Sequence, residues 1–211
     1  DGPRWHRRVA PADGDRPRFE PEVAGHGDDQ LRIGSGAGED VVAAEVVEFE
    51  GNSEVRVTRM NKILDEGFFE ALIADREEVF SYKLRRHARN GEITTVYDPY
   101  SFLPTLTEFD LYLFNAGDHH RIYEKLGAHV TEINGVSGIQ FAVWAPGARS
   151  VSVIGSFNRW DRREHAMRVL GSSGVWEIFI PCLSEGELYK FQIKTQTGTL
   201  IDKSDPYGFE M

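Results

Sequence analysis

From Val41 onward, apolar residues recur at every second position in short runs. Phe80, Tyr82 and Leu84 alternate with Ser81, Lys83 and Arg85, and Tyr189, Phe191 and Ile193 alternate with Lys190, Gln192 and Lys194. Trp176, Ile178 and Ile180 likewise alternate with Val175, Glu177 and Phe179. A period of two is that of a half-buried β-strand. Further β-type runs cover Val41–Val47, Val55–Val57, Gly67–Ile73 and Ile93–Val96, and Asn90-Gly91 is a hairpin turn signal. Phe141–Trp144 and Val151–Ile154 flank Pro146-Gly147, and the second of these runs through Gly155-Ser156-Phe157-Asn158 to Trp160.

Two stretches depart from this pattern. Residues 1–38 are rich in Gly, Pro, Asp and Arg without a sustained period, and they read as a disordered or loose lead-in. Between Thr105 and Gly127 the period changes: Phe109, Tyr112 and Leu113 stand at helical spacing. Thr105 with Glu108 resembles a capping box, Gly117 is a helix stop, and Ile122, Tyr123 and Leu126 suggest a second short turn. This is a helical connector.

The β-type runs repeat. Gly67-Phe68-Phe69-Glu70 returns as Gly174-Val175-Trp176-Glu177, a spacing of 107 residues. At the same spacing Tyr82-Lys83 returns as Tyr189-Lys190, and Gly91 as Gly198. Asp98-Pro99-Tyr100 with Phe102 likewise returns as Asp205-Pro206-Tyr207 with Phe209. A repeat of about a hundred residues made of short strands and turns is the size of one antiparallel sandwich. The expected fold is therefore all-β: two tandem immunoglobulin-like antiparallel β-sandwiches, at 39–104 and 128–211, joined by the connector at 105–127.

Composition narrows the partners. A net charge of −10 argues against nucleic acid and against an anionic membrane surface, and leaves a neutral polymer open. No apolar run is long enough for a membrane span, and no charged-then-apolar leader opens the chain. The single Cys182 excludes an internal disulfide and reads as an inert, at least half-buried thiol. A cytoplasmic location is expected. The start at Asp1 and the strand-and-turn pattern running up to Met211 suggest a fragment.

Trp160 carries the candidate chemistry. A pyranose ring needs a flat apolar surface for its C–H face and directional partners for its hydroxyls. Trp160 supplies the first, and Asn158 and an outward-facing Lys190 supply the second. Trp160 could instead be core, as Trp144 and Trp176 are expected to be, but Asp161-Arg162-Arg163-Glu164 after it is a solvated run. At the repeat spacing Trp160 falls on Ser53 and Lys190 on Lys83, so the first copy lacks the ring and reads as a spacer or docking unit. His119, His120 and His129 lack further ligands at a useful spacing, so no metal site and no cofactor are expected. No phosphate loop, nucleophile elbow or acid/base carboxylate pair is present.

Phe141–Arg149, Gly155–Trp160, Gly174–Pro181 and Tyr189-Lys190-Phe191 resemble the family 48 carbohydrate-binding module. With Leu113-Phe114, Asp118-His119, Tyr123–His129 and Asp205–Phe209, the larger pattern is similar to the amino-terminal region of bacterial 1,4-alpha-glucan branching enzymes. The resemblance implies a parent that moves an α-1,4-glucan chain to a 6-hydroxyl, with its catalytic residues in a (β/α)8 barrel outside this chain. It implies no catalytic residue here, no activity for the chain alone, and binding of glycogen or maltooligosaccharides through Trp160 and Lys190. A second aromatic used by some members corresponds to about Leu200, so weak binding is expected. A stand-alone glycogen- or starch-binding or regulatory module is the alternative reading.

Overall fold

In a computed structural model of the chain, the described residues are 6–10, 18–22, 31–36, 40–51, 53–65, 67–73 and 80–208. They divide into two compact units, separated between Ser101 and Phe102. Phe209, the last residue of the second repeat block, lies outside the described residues.

The first unit contains β1 (His6–Ala10), β2 (Arg18–Glu22), β3 (Leu31–Gly36), β4 (Val41–Glu50), β5 (Ser53–Arg59), β6 (Asn61–Leu64), β7 (Phe68–Ile73), β8 (Tyr82–Ala88) and β9 (Ile93–Tyr97). β1 and β2 pair with each other. The remaining strands form an antiparallel sheet β3-β7-β6 and a second sheet β5-β4-β8-β9. Alternation places Val46, Tyr82 and Leu84 in one core with Ile33, Phe69, Ala71 and Ile73. Ile33 comes from within the stretch expected to be a loose lead-in. This short segment shows no period of its own, yet edge pairing with β7 engages its backbone and Ile33 is buried in the core.

The second unit contains α1 (Glu108–Ala116), β10 (Gly127–Ile133), β11 (Val136–Trp144), β12 (Ala148–Gly155), β13 (Arg168–Val169), β14 (Val175–Pro181), β15 (Tyr189–Thr195) and β16 (Leu200–Lys203). Its antiparallel sheets are β10-β11-β14-β13 and β12-β15-β16. Among the described residues α1 is the one α-helix, and the whole is an all-β fold of the immunoglobulin-like sandwich kind. Phe141 and Tyr189, on opposite sheets, meet edge-to-face at 4.9 Å between ring centroids. Burying a ring the size of Phe141 stabilises a domain by about 2–3 kcal/mol.

The repeat is kept in the pairing. Glu48↔Tyr82 and Val47↔Lys83 in the first unit correspond to Gly155↔Tyr189 and Ile154↔Lys190 in the second. Each unit also closes on the same corner. The Tyr82 hydroxyl donates to Asp98 and the Tyr189 hydroxyl to Asp205, both at 2.5 Å. Asp98 and Asp205 in turn accept the backbone N–H of Tyr100 and Tyr207. Burial and the bond to Asp205 push the Tyr189 phenol up, so it remains a donor.

The connector is more than a link. Strand β14 was expected to alternate, but Val175 through Ile180 are all buried. The reason is a third layer: Leu106 and Leu126, with Leu111, Phe114 and Ile122, form a cluster against Ala142 and Val175, and Phe102 packs on Phe179 at 4.8 Å. Beneath that layer the Glu177 carboxylate accepts from the Thr105 backbone N–H at 2.7 Å and from its hydroxyl at 2.8 Å. Burial pushes the Glu177 carboxyl up, and Arg168, Thr105 and Lys125 offset part of that shift.

Those bonds also correct the capping assignment. Thr105 is committed to Glu177, and the N-cap of α1 is Thr107, whose hydroxyl accepts from Asp110 N while Asp110 accepts from Thr107 N. Partial burial pushes Asp110 up, but its bonds from Thr107 and His119 and the charge of Lys125 outweigh this and hold it at about 2. The expected stop at Gly117 is in place, with φ of 79° at the left-handed C-cap that glycine adopts without strain.

Candidate carbohydrate-binding site

The site begins where β12 ends. Gly155 is required there by close approach: a Cβ would come within 2.5 Å of the Leu188 carbonyl oxygen and 2.6 Å of the Phe157 ring. Residues Ser156–Asn158 form one 3-10 turn, and Phe157 turns inward against Phe141 and His165. Arg159 and Trp160 then both take left-handed backbone, at φ 54° and 60°. Such conformations cost non-glycine residues on the order of 1 kcal/mol each and persist only where the surroundings impose them.

Asn158 imposes them. It was expected to face a ligand, but it is 1% exposed. Its Oδ1 accepts from Gly155 N–H at 2.9 Å, and its Nδ2 donates to the Val153 carbonyl and to His165 Nδ1, each at 2.9 Å. Its amide is spent on the protein, so its role is to latch the turn. Because Nδ2 only donates, His165 Nδ1 must accept, which requires a neutral ring. Burial pushes the His165 imidazole down to about 4, which keeps it neutral at pH 7.

On this latch the Trp160 backbone N–H donates to the Gly155 carbonyl at 2.9 Å, and the indole is 45% exposed. The core reading of Trp160 is thereby excluded. Asp161 caps the following turn through Arg163, and residues 165–167 run back along β12, with Val153 N bonded to the His165 carbonyl and Met167 N to that of Val151.

Lys190 lies on β15 and is exposed. Its cross-strand partner is Ile154, next to the Gly155 that carries Trp160. Further rows on the same face are Ser152↔Gln192↔Asp202 and Ser150↔Lys194↔Leu200. Gln192 donates to Asp202 at 2.7 Å, and Leu200 is half-exposed, an aliphatic where a second ring was considered. One exposed ring, the two lysines Lys190 and Lys194 and a row of amide and carboxylate groups are therefore carried on one sheet and its connecting turn.

Other sequence expectations fall elsewhere. Trp144 is at the surface at 55% exposure, its indole N–H bonded to the Ser173 carbonyl and its ring edge-to-face with Phe114, whereas Trp176 is buried. Cys182 is exposed on a left-handed residue, not buried. His119 bonds Asp110 at 3.1 Å and His129 bonds the Leu126 carbonyl at 2.9 Å, both serving the connector. Sequence reasoning missed His165 and Glu177. Neither sits in a motif, and their partners Asn158 and Thr105 are joined to them only by folding.

These features define a small antiparallel sandwich that presents a sugar-sized aromatic surface from one sheet. Residues 125–208 match the family described as Carbohydrate-binding module 48 (Isoamylase N-terminal domain). Residues 41–100 match the alpha-1,4-glucan branching enzyme GlgB N-terminal domain. The 1,4-alpha-glucan branching enzyme of Trichormus variabilis is 54% identical over 153 residues, which is 72% of this chain and 20% of that protein. That of Thermosynechococcus vestitus is 57% identical over 133 residues, 63% of this chain and 17% of that protein. A solved pullulanase from Klebsiella pneumoniae aligns with 86% of this chain and 22% of its own, at 16% identity and a TM-score of 0.33. The chain is similar to the amino-terminal region of 1,4-alpha-glucan branching enzymes, and it spans about a fifth of the length of the curated relatives it matches.

Proposed function

We propose that the chain is the glucan-handling accessory part of a 1,4-alpha-glucan branching enzyme, in which the second sandwich holds an α-1,4-glucan on Trp160 and Lys190. The observation that carries this reading is the cost met to expose Trp160: two consecutive left-handed residues, held by an asparagine whose side-chain hydrogen bonds are all internal. A structural tryptophan has no use for such a mount. The indole stacks on the C–H face of a glucose unit, and the Lys190 ammonium donates to its hydroxyls. Asn158 acts at one remove, by orienting the turn.

In this reading the chain itself performs no bond chemistry. It retains a long glucan beside a (β/α)8 barrel that does, and it packs on that barrel. The exposed Phe109 and Tyr112 of α1 offer apolar surface for such packing. The setting is cytoplasmic, where an exposed lone thiol such as Cys182 stays reduced. With Leu200 in place of a second ring, binding is weak. Affinity electrophoresis in glycogen-containing gels tests the reading: the wild-type chain is retarded and Trp160→Ala runs markedly faster. Equal retardation of the two would remove Trp160 from the site.

A further inference from the structure

We propose that the first sandwich carries a second α-glucan contact, built from Phe49, Lys83 and Tyr97 on the face of β4-β8-β9 turned away from its core. This rests on the reading of Trp160 and Lys190 as glucan contacts, and it departs from the expectation that the first copy is a spacer or docking unit. The starting point is register. Lys83 pairs with Val47 on β4, as Lys190 pairs with Ile154 on β12, so the two lysines occupy the same node of equivalent sheets. Val46 and Leu84, one residue along each strand, point into the core cluster. Lys83 therefore stands on the opposite face, as does Tyr97, its partner on β9.

The first copy has no counterpart of Trp160, yet its lysine is not bare. The Lys83 Nζ lies 4.3 Å from the centroid of the Tyr97 ring and 4.7 Å from that of Phe49. Two half-exposed rings thus flank one cation, where the second copy has one ring on a turn. Cation–π contact fixes the ammonium without using up its three N–H donors. The next rows supply ordered polar groups: Arg85 pairs with Glu54 and with Glu45, and His87 Nε2 lies 3.3 Å from Glu45. Aromatic surface, a fixed donor and a pre-oriented guanidinium–carboxylate pair are the requirements of a hexopyranose chain. Lys83, Arg85 and Arg59, the last opposite Glu45 on β5, are set against Glu45 and Glu54, a near-balance of charge that suits a neutral polymer.

The test is amide mapping of the isotopically labelled 211-residue chain during titration with maltoheptaose, with cellohexaose as the β-linked control. The expected result is two separate sets of shifts with maltoheptaose only, one around Lys83 and Tyr97 and one around Trp160 and Lys190. Phe49→Ala with Tyr97→Ala abolishes the first set and leaves the second, Trp160→Ala does the reverse, and Tyr97→Phe keeps both. The wild-type titration decides the matter even if the double variant loses its fold. Shifts confined to the second unit overturn this proposal and leave the Trp160 reading intact. Shifts confined to the first unit overturn the Trp160 reading alone, and no shifts at all overturn both.

Discussion

The two sandwiches part at one sheet edge. In the first, Ser53–Arg59 forms β5 and pairs with β4 from Glu50↔Ser53 to Glu45↔Arg59. In the second, the equivalent residues Trp160–Ala166 form a turn-rich loop that meets β12 at its two ends, where Trp160 N–H donates to the Gly155 carbonyl and where Val153 N–H donates to the His165 carbonyl beside the bridge Ser152↔Ala166. No residue is inserted or deleted, since the spacing of 107 holds for Met60 and Met167 just beyond, both buried. The difference is therefore one of content. Val55 and Val57 alternate as an edge strand should, while Arg162 and Glu164 at those positions do not. Gly51 makes a left-handed hairpin turn, where Asn158 stands in the second copy and uses its side chain to stop the strand. One copy closes its sheet with a strand; the other uses the same number of residues to present a ring.

The comparison is broken most sharply at Asn158. Asn158→Leu strands the Gly155 N–H and the Val153 carbonyl, and removes the bond to His165. Leaving buried donors and acceptors unmet costs about 1–3 kcal/mol each, so a loss of about 4 kcal/mol is expected in urea unfolding, together with the loss of retardation in glycogen gels. A variant as stable as wild type would show that the turn is held by something other than this latch.

A smaller effect is expected from pH, again confined to the second copy, whose His165 corresponds to Thr58 in the first. The folded chain holds His165 at about 4 against an ordinary 6.5. The unfolded chain therefore takes up a proton first as the pH falls. The stability contributed by the neutral ring is present above 6.5 and is lost progressively down to about 4. The half-buried ring keeps some contact with water, which brings the expected loss to about 2 kcal/mol. Carboxylates titrate in the same window, so the measurement is the difference in urea midpoints between wild type and His165→Gln at pH 7, 5.5 and 4. A difference that does not change with pH would dismiss the histidine as part of the latch.

What could be read in advance follows the same division. The repeat and the strands of the second copy were legible because residue types at fixed spacing record the pleat directly. The inward turn of Asn158 was not, since a polar residue after a strand reads equally well as a ligand contact or a cap, and only the positions of Val153 and His165 decide. Trp144 reads as core because it continues an apolar strand, but it is the last residue of β11 and its ring lies at the surface against Phe114. Phe49 and Tyr97 were passed over for a different reason. They lie far apart in sequence, and it is pairing of β4, β8 and β9 that brings both rings to Lys83.

The smallest expected effect on stability separates binding from folding. Trp160→Ser installs the residue that the first copy carries at Ser53. Residue 160 is 45% exposed, and its bond to the turn is made by its backbone N–H to the Gly155 carbonyl, which serine retains. Stability should then change by about 0.5 kcal/mol or less, the range of surface substitutions, while retardation in glycogen gels falls as far as in Trp160→Ala. A larger destabilisation would mean that the ring packs over Ile154 on the outer face of β12 and is a structural part of the sheet. Trp160 would then correspond to the Phe49 and Tyr97 cover of the first copy, and the two sandwiches would differ less in kind than in which strand supplies the aromatic.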